Sequence, residues 1–342
     1  MQVSTIGVDL AKNVFQTHGV DAAGKVTVIK QLRRGQVLGF FAELPPCLVG
    51  MEACATAHHW ARELTMLGHT VRLMPASYVK AYVKRGKNDA ADAAAICEAV
   101  TRPSMRFVPA KTAEQQAALM LHRTRDLLVR QRTQLINAMR AHLAELGIVA
   151  AQGRDGVSAL IAIVMDETSD RLPRLARKAL QALLTQLDVL QQQIGTLKRD
   201  IHTQHRSCDA SRRLETIPGI GVIGATAIAA TVTDPAAFKS GREFAAWIGL
   251  VPRQNSSGGK ERLGSISKQG DRYLRRLLIV GATAVIRHAR AHPDKHPWLT
   301  QLLARKPAKV VAVALANKMA RIAWAVLFRG ETYRAPALAV AA

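Results

Sequence analysis

The chain has 342 residues, 49% of them apolar, enough to bury a sizeable core in roughly two to three domains of about 100–200 residues each. Lys and Arg number 48 against 25 Asp and Glu, a net +23, and a field of that size selects a polyanionic partner such as a phosphate backbone. Aromatic residues make up only 4%, which excludes a protein that depends on stacking many unpaired bases, and the four cysteines form no C-x-x-C pair, which disfavours a zinc site or a disulfide framework.

The basic excess is uneven. Residues 1–110 hold 13 basic and 8 acidic side chains, whereas residues 111–342 hold 35 and 17. The polyanion is therefore expected mainly along the later part of the chain. No uninterrupted apolar run reaches bilayer length, and the chain opens without a charged-then-apolar leader. A reducing, cytoplasmic location is expected.

In chain order, residues 3–9 (VSTIGVD) predict a strand ending in an acid. Residues 15–20 continue as an extended segment, 21–24 (DAAG) as a turn, and 26–29 as a returning strand. A helix is expected over 37–44, stopped by Pro45 and Pro46. Residues 47–51 predict a buried strand running into Glu52, 58–67 a helix, 71–74 a strand, and 77–100 a helix broken near Gly86. Strands alternating with helices indicate a mixed α/β sheet.

From about 112 to 147 the pattern is helical, with arginines along one side, and 150–172 is expected to hold a connection or short helices. Leu180, Leu183, Leu187, Leu190, Ile194, Leu197 and Ile201 are spaced alternately by three and four. That is a heptad seam, and it predicts coiled-coil pairing within or between chains. An amphipathic helix packed on its own domain gives the same spacing.

After Cys208, a short helix, Pro218-Gly219-Ile220-Gly221 and an Ala-rich helix read as a helix-hairpin-helix, in which Gly219 and Gly221 let the backbone approach a phosphate. An ordinary helical corner is the alternative. Residues 249–270 are rich in Gly, Ser and Lys and read as an active loop, followed by helices over about 271–291 and 307–329. The Ala-rich tail after Pro336 is expected to fray.

Asp9 and Glu52 each close a predicted strand, and Asp89 and Asp92 lie three apart, on one face of a helix. Crowded carboxylates repel unless a cation sits among them, and oxygen-only ligands suit Mg²⁺ or Mn²⁺. A pair of such ions about 4 Å apart stabilises both the attacking and the leaving oxygen of a phosphodiester. Helix capping and surface solvation are the bland alternatives for these acids.

The segments Ile6-Gly7-Val8-Asp9-Leu10-Ala11-Lys12, Gly50-Met51-Glu52-Ala53 and Lys87-Asn88-Asp89-Ala90-Ala91-Asp92-Ala93 resemble the acidic motifs of the DEDD transposases of insertion-sequence family one hundred and ten. The resemblance continues through Ile217–Gly221, residues 244–253 (FAAWIGLVPR) and Ser256-Ser257-Gly258-Gly259-Lys260. It runs nearly the full length. These are bridge-RNA-guided recombinases, and their first domain is similar to the Holliday-junction resolvase RuvC.

The resemblance implies an α/β, ribonuclease-H-like (RuvC-like) domain over 1–110. A helical, coiled-coil region for dimerisation follows over 111–206, and a mostly α C-terminal transposase domain with the helix-hairpin-helix-like motif over 207–342. It implies metal binding and catalysis by Asp9, Glu52, Asp89 and Asp92, and a nucleophilic serine at Ser257 that forms a phosphoserine link, with Ser256 left open. Lys260, Arg262, Lys268, Arg272, Arg275 and Arg276 are expected to hold DNA beside Gly219 and Gly221. A structured guide RNA and a homo-oligomer, dimer or tetramer, are implied partners. Two other functions remain: a metal-dependent junction resolvase that hydrolyses with water, and a non-catalytic nucleic-acid binder. Tyr273, within DRYLRR, is a further candidate nucleophile, but no Arg/His constellation of the tyrosine recombinases accompanies it in sequence.

Overall fold

A computed structural model describes residues 2–83 and 88–335. The expected break near Gly86, the cations Lys84, Arg85 and Lys87, and the tail after Pro336 lie outside the described residues. The chain forms two compact units: one of Met1–Gln116 with Val232–Lys239, the other of Ala117–Thr231 with Ser240–Ala342.

The first unit is a mixed α/β layer structure. Its elements are β1 (Thr5–Asp9), β2 (Val14–Val20), β3 (Val26–Arg33), α1 (Val37–Ala42), β4 (Leu48–Glu52), α2 (Ala57–Met66), β5 (Thr70–Met74), α3 (Ala76–Val79) and α4 (Asp89–Val100). The five strands pair in the order β3-β2-β1-β4-β5. The hairpins β1–β2 and β2–β3 are antiparallel, while β1–β4 and β4–β5 are parallel crossovers carried by helices.

One sheet face packs Ile6, Val8 and Phe15 against Phe41, Trp60 and Leu64 of α1 and α2. The other face carries α4, whose Ala95, Ile96, Ala99 and Val100 are buried with Met74 and Val79. The expected elements form here, with β3 extending to Arg33, four residues beyond the expected strand. The expected helix over 77–100 is instead α3, a 3-10 turn over Lys80–Tyr82, and α4.

The second unit is helical. It holds most of α5 (Ala113–Ala144), then α6 (Arg154–Met165), α7 (Arg174–Arg206), α8 (Asp209–Glu215), α9 (Val222–Thr231) and α10 (Gly241–Trp247). A two-stranded hairpin follows, β6 (Pro252–Gln254) and β7 (Leu263–Ile266), then α11 (Arg272–Ala291), α12 (Pro297–Arg305) and α13 (Ala308–Arg329).

The heptad seam of α7 is covered inside the chain. Leu180 and Leu187 share a core with Met139 and Leu143 of α5 and Leu160 and Val164 of α6. Further along, Leu190, Ile194 and Ile201 are also buried, where α7 packs on α8 and α9.

α13 is long and apolar enough by composition to cross a membrane, with mean hydropathy 1.6. Its apolar run is broken by Lys318 and Arg321, and it packs against α10 and α11 as a core helix.

Candidate active site

Strand alternation sets the first part of the site. Gly7 and Gly50 are register partners on β1 and β4, and Asp9 and Glu52 stand two residues further along, on the same sheet face. That face carries α4. A Cβ on Gly7 would run into the Ala93 carbonyl and the Cys97 backbone, and one on Gly50 would meet the Val100 side chain at 2.8 Å. The paired glycines thus let α4 settle directly onto the sheet, bringing its first turn beside the strand ends.

The start of α4 is fixed by Asn88, whose side chain accepts a hydrogen bond from the Ala91 N–H at 2.7 Å. Asp89 and Asp92 therefore fall in the first turn, where the helix dipole favours negative charge. Carboxylate oxygens of Asp9, Asp89 and Asp92 all lie within 4.8 Å of one another. Asp9 and Asp92 are half-buried and Asp89 is exposed. Hard oxygen donors this close, without a nitrogen or sulfur ligand, fit a divalent cation of the Mg²⁺ or Mn²⁺ type.

Glu52 stands beside this trio. Burial pushes its carboxyl up from the usual glutamate range, and the negative charges of Asp9 and Asp92 push it further the same way. It senses two members of the cluster without lying in the tight group of three.

The serines lie in the second unit. The expected active loop is a β-hairpin: Ser257 and Lys260 bridge, the Lys260 N–H donates to the Ser257 carbonyl at 3.1 Å, and Gly258 and Gly259 take φ of +56° and +76°. Two successive left-handed residues make the tight turn of a two-residue hairpin, and glycine supplies both without strain. Ser256 Oγ accepts from the Arg262 N–H at 3.1 Å, bracing the two arms. Ser257 is exposed at the tip, and no hydrogen bond engages its hydroxyl among the described residues.

The expected nucleic-acid contacts divide by burial. Lys260, Arg262, Lys268 and Arg272 are exposed. Arg276 is exposed but pairs with Asp126 and lies over the Tyr273 ring at 5.3 Å. Arg275 is turned inward: it is 8% exposed and donates to the carbonyls of Ile248 and Gln269, each at 2.7 Å. It clamps the root of the hairpin onto α10. Gly219 is also inward, since a Cβ there would meet Val285, Met319 and the Gly281 carbonyl, whereas Gly221 faces open space.

Tyr273 has company that the sequence concealed. Its hydroxyl lies 3.1 Å from Nδ1 of buried His122, and Arg125 adds a positive charge. Burial and Arg125 push the His122 imidazole down to about 4.

Two family profiles match the chain. One, of DEDD transposases, covers residues 6–148, which include all four acids; the other, described as "Transposase IS116/IS110/IS902 family", covers residues 211–297, which include the serine hairpin. A probable family 20 transposase of Pseudomonas aeruginosa is 53% identical over 98% of this chain and 99% of its own length. The transposase for insertion sequence element IS1111A of Coxiella burnetii is 42% identical over 97% of this chain and 92% of its own. That for IS1328 of Yersinia enterocolitica is 41% identical over 97% and 98%.

The chain belongs to the IS110 family of transposases. Transposases of this family cut and rejoin DNA, and the exposed cations of the second unit suit such a substrate. Neither the glycine pair Gly7 and Gly50 nor the inward turn of Arg275 in this transposase is among the features expected from its sequence. The available signal for the first was spacing, because each glycine precedes an acid by two residues.

Proposed function

We propose that this transposase cuts DNA by attack of Ser257 on a phosphodiester, assisted by a divalent cation held at Asp9, Glu52, Asp89 and Asp92. The observation that carries the proposal is the convergence of the Asp9, Asp89 and Asp92 oxygens within 4.8 Å, with Glu52 beside them. The strand order β3-β2-β1-β4-β5, with acids at the ends of β1 and β4, supports a ribonuclease-H-like, RuvC-like nuclease part over 1–110. A helical stretch over 111–206 joins it to the serine-bearing part over 207–342.

When bound, Mg²⁺ or Mn²⁺ supplies charge neutralisation at the scissile phosphate. Asp9 and Asp92 orient that ion from the sheet and from the helix start. Ser257 Oγ forms the new bond to phosphorus as its proton leaves, and the deoxyribose oxygen of the cut strand departs as a hydroxyl. The phosphoserine conserves the bond energy, so attack by an incoming strand's hydroxyl reseals DNA and frees the serine. Exposed Lys260, Arg262, Lys268 and Arg272 hold the strand by its phosphates, with the backbone at Gly221 as a further contact. The family resemblance adds a structured guide RNA and a homo-oligomer, dimer or tetramer.

A second reading, hydrolysis by water in the manner of a junction resolvase, keeps the acids and dispenses with the serine. Purified protein, co-expressed RNA and element-end DNA in Mg²⁺ separate the two. A protein–DNA adduct mapped by mass spectrometry to Ser257, lost in Ser257→Ala and Asp9→Ala, is the expected result. Cleavage that survives Ser257→Ala with no adduct would leave the hydrolytic reading.

A further inference from the structure

A second basic site is built from residues other than the acids and the serine. A cleft of about 870 Å³ between α5, α6 and α7 is lined by Arg132, Arg140 and Arg154, with the amides of Asn137, Gln152 and Gln191. Among the described residues, no carboxylate lines it. Three guanidiniums around one cleft repel each other unless an anion or water separates them.

The cleft is held in shape. Arg140 donates to the carbonyls of Ala150 and Ala151, at 3.0 and 2.8 Å, which folds the loop before α6 back onto α5. Gly156 then packs so tightly on the Ala151 carbonyl that a Cβ has no room. The N-terminus of α6 opens into the same cleft through Gly153 and Arg154. Its cap residue Gly153 has a φ of +100° and no side chain to satisfy the first-turn N–H groups. Arg154, at the first helical position, adds a cation where the dipole already favours an anion. Asp155 follows it but does not line the cleft.

The donor set excludes a metal cation by its charge; Ile136, Val157 and Ile161 give the cleft an apolar wall, but a wholly apolar ligand would leave the guanidiniums and amides around it unpaired. Guanidinium forks match phosphate oxygens, and the amides donate to phosphates and can both donate to and accept from sugar hydroxyls. We infer that this cleft is a docking site for the phosphodiester backbone of a nucleic-acid strand, separate from the strand being cut. The inference rests on the reading of this chain as a nucleic-acid-processing enzyme and adds a place where a second segment is held.

The test uses the full chain with Arg132→Gln and Arg154→Gln together, leaving Arg140 to hold the loop. Binding to a short RNA hairpin, a single-stranded DNA and a DNA duplex is followed by fluorescence anisotropy across a salt series. The slope of log affinity against log salt is expected to fall by about 1.5–2 for the probe that the cleft holds, with the melting temperature unchanged. The probe that loses slope identifies the source of the backbone. Arg132→Lys with Arg154→Lys keeps the charge and is expected to restore most of the slope. An unchanged slope with all three probes, or a loss that the lysine pair does not restore, overturns the inference. Adduct formation at Ser257 is read in parallel. A wild type that binds with a steep salt slope but forms no adduct counts against the proposed chemistry and leaves the cleft standing.

Discussion

Gly7 on β1 lies so close beneath Ala93 of α4 that no side chain fits between strand and helix. The contact sets the depth of α4, and that depth delivers Asp89 and Asp92 to Asp9. Gly7→Ala pushes against helix backbone, which cannot swing aside as a side chain can. It is expected to cost about 1–3 kcal/mol of stability. It should also shrink the rise in melting temperature that Mg²⁺ or Mn²⁺ produces, because the acids separate. Gly39→Ala is the matched control: nothing lies within 4 Å of a Cβ there, and α1 should gain up to about 1 kcal/mol in helix propensity. Thermal melts with and without metal distinguish the two.

Glu52 carries a raised carboxyl, from burial first and then from Asp9 and Asp92. Between the usual glutamate value and the higher folded one, the folded state therefore holds a proton that the unfolded chain has already released. Stability of the metal-free protein falls as pH rises from the usual glutamate range through the higher folded value, and the penalty persists at neutral pH. Glu52→Gln should flatten that fall and raise the metal-free melting temperature at pH 7. The same variant should weaken metal affinity on the order of 10–100-fold or more, because it removes the charge of one of the four carboxylates proposed to hold the ion. A variant that gains no stability at neutral pH would contradict the electrostatic account.

The two serines of the hairpin are separated by their bonds. Ser256 Oγ braces the arms through the Arg262 N–H, and Ser257 stands at the tip. Ser256→Ala should cost about 0.5–1.5 kcal/mol locally and leave adduct formation in place. Ser257→Ala should abolish the adduct with no change in melting temperature. The reverse pattern would move the nucleophile to Ser256.

Much of the first unit was legible because its period-two strands and its helix signals agree with the tertiary structure. Asp9 and Glu52 follow apolar strand runs, and the three-residue spacing of Asp89 and Asp92 survives in the first turn of α4. The second unit was harder to read. The heptad spacing of Leu180, Leu187 and Leu190 is equally compatible with a partner chain and with neighbours in the same chain, and burial decides in favour of the latter. Arg275 and Arg276 are adjacent in a basic run, yet the turn of α11 buries one and exposes the other. Sequence-distant partners such as His122 and Tyr273 leave no local period to find.

That division of labour in α11 is testable. Arg275 satisfies the Ile248 and Gln269 carbonyls from a buried position, so Arg275→Ala leaves both without their charged donor and should cost about 2–3 kcal/mol. Arg272 is exposed in the first turn, and Arg272→Ala should leave stability unchanged while lowering the salt slope of DNA binding by about 1. Urea melts and anisotropy titrations on the same pair of variants separate the roles. Equal effects of the two variants on the salt slope would show that Arg275 reaches DNA after all.

His122 supplies a pH signature for the second unit. It is buried beside Arg125, and its imidazole is held down to about 4 against an ordinary value of 6.5. It is therefore neutral in the folded protein at pH 5–6, where the unfolded chain is protonated. Its contribution is complete above about 6.5 and is lost as pH falls from there to about 4. The total is on the order of 3 kcal/mol. Tyr273→Phe removes the hydroxyl 3.1 Å from His122 Nδ1 and strands a buried polar nitrogen, which should cost a further 1–3 kcal/mol, roughly, at every pH. His122→Leu should lower stability at pH 8 but lose little more on acidification, because no buried imidazole remains to be charged. Denaturant midpoints at pH 8, 6 and 4.5 for wild type and both variants decide the matter. An acid-sensitive step that persists undiminished in His122→Leu would assign it to other groups.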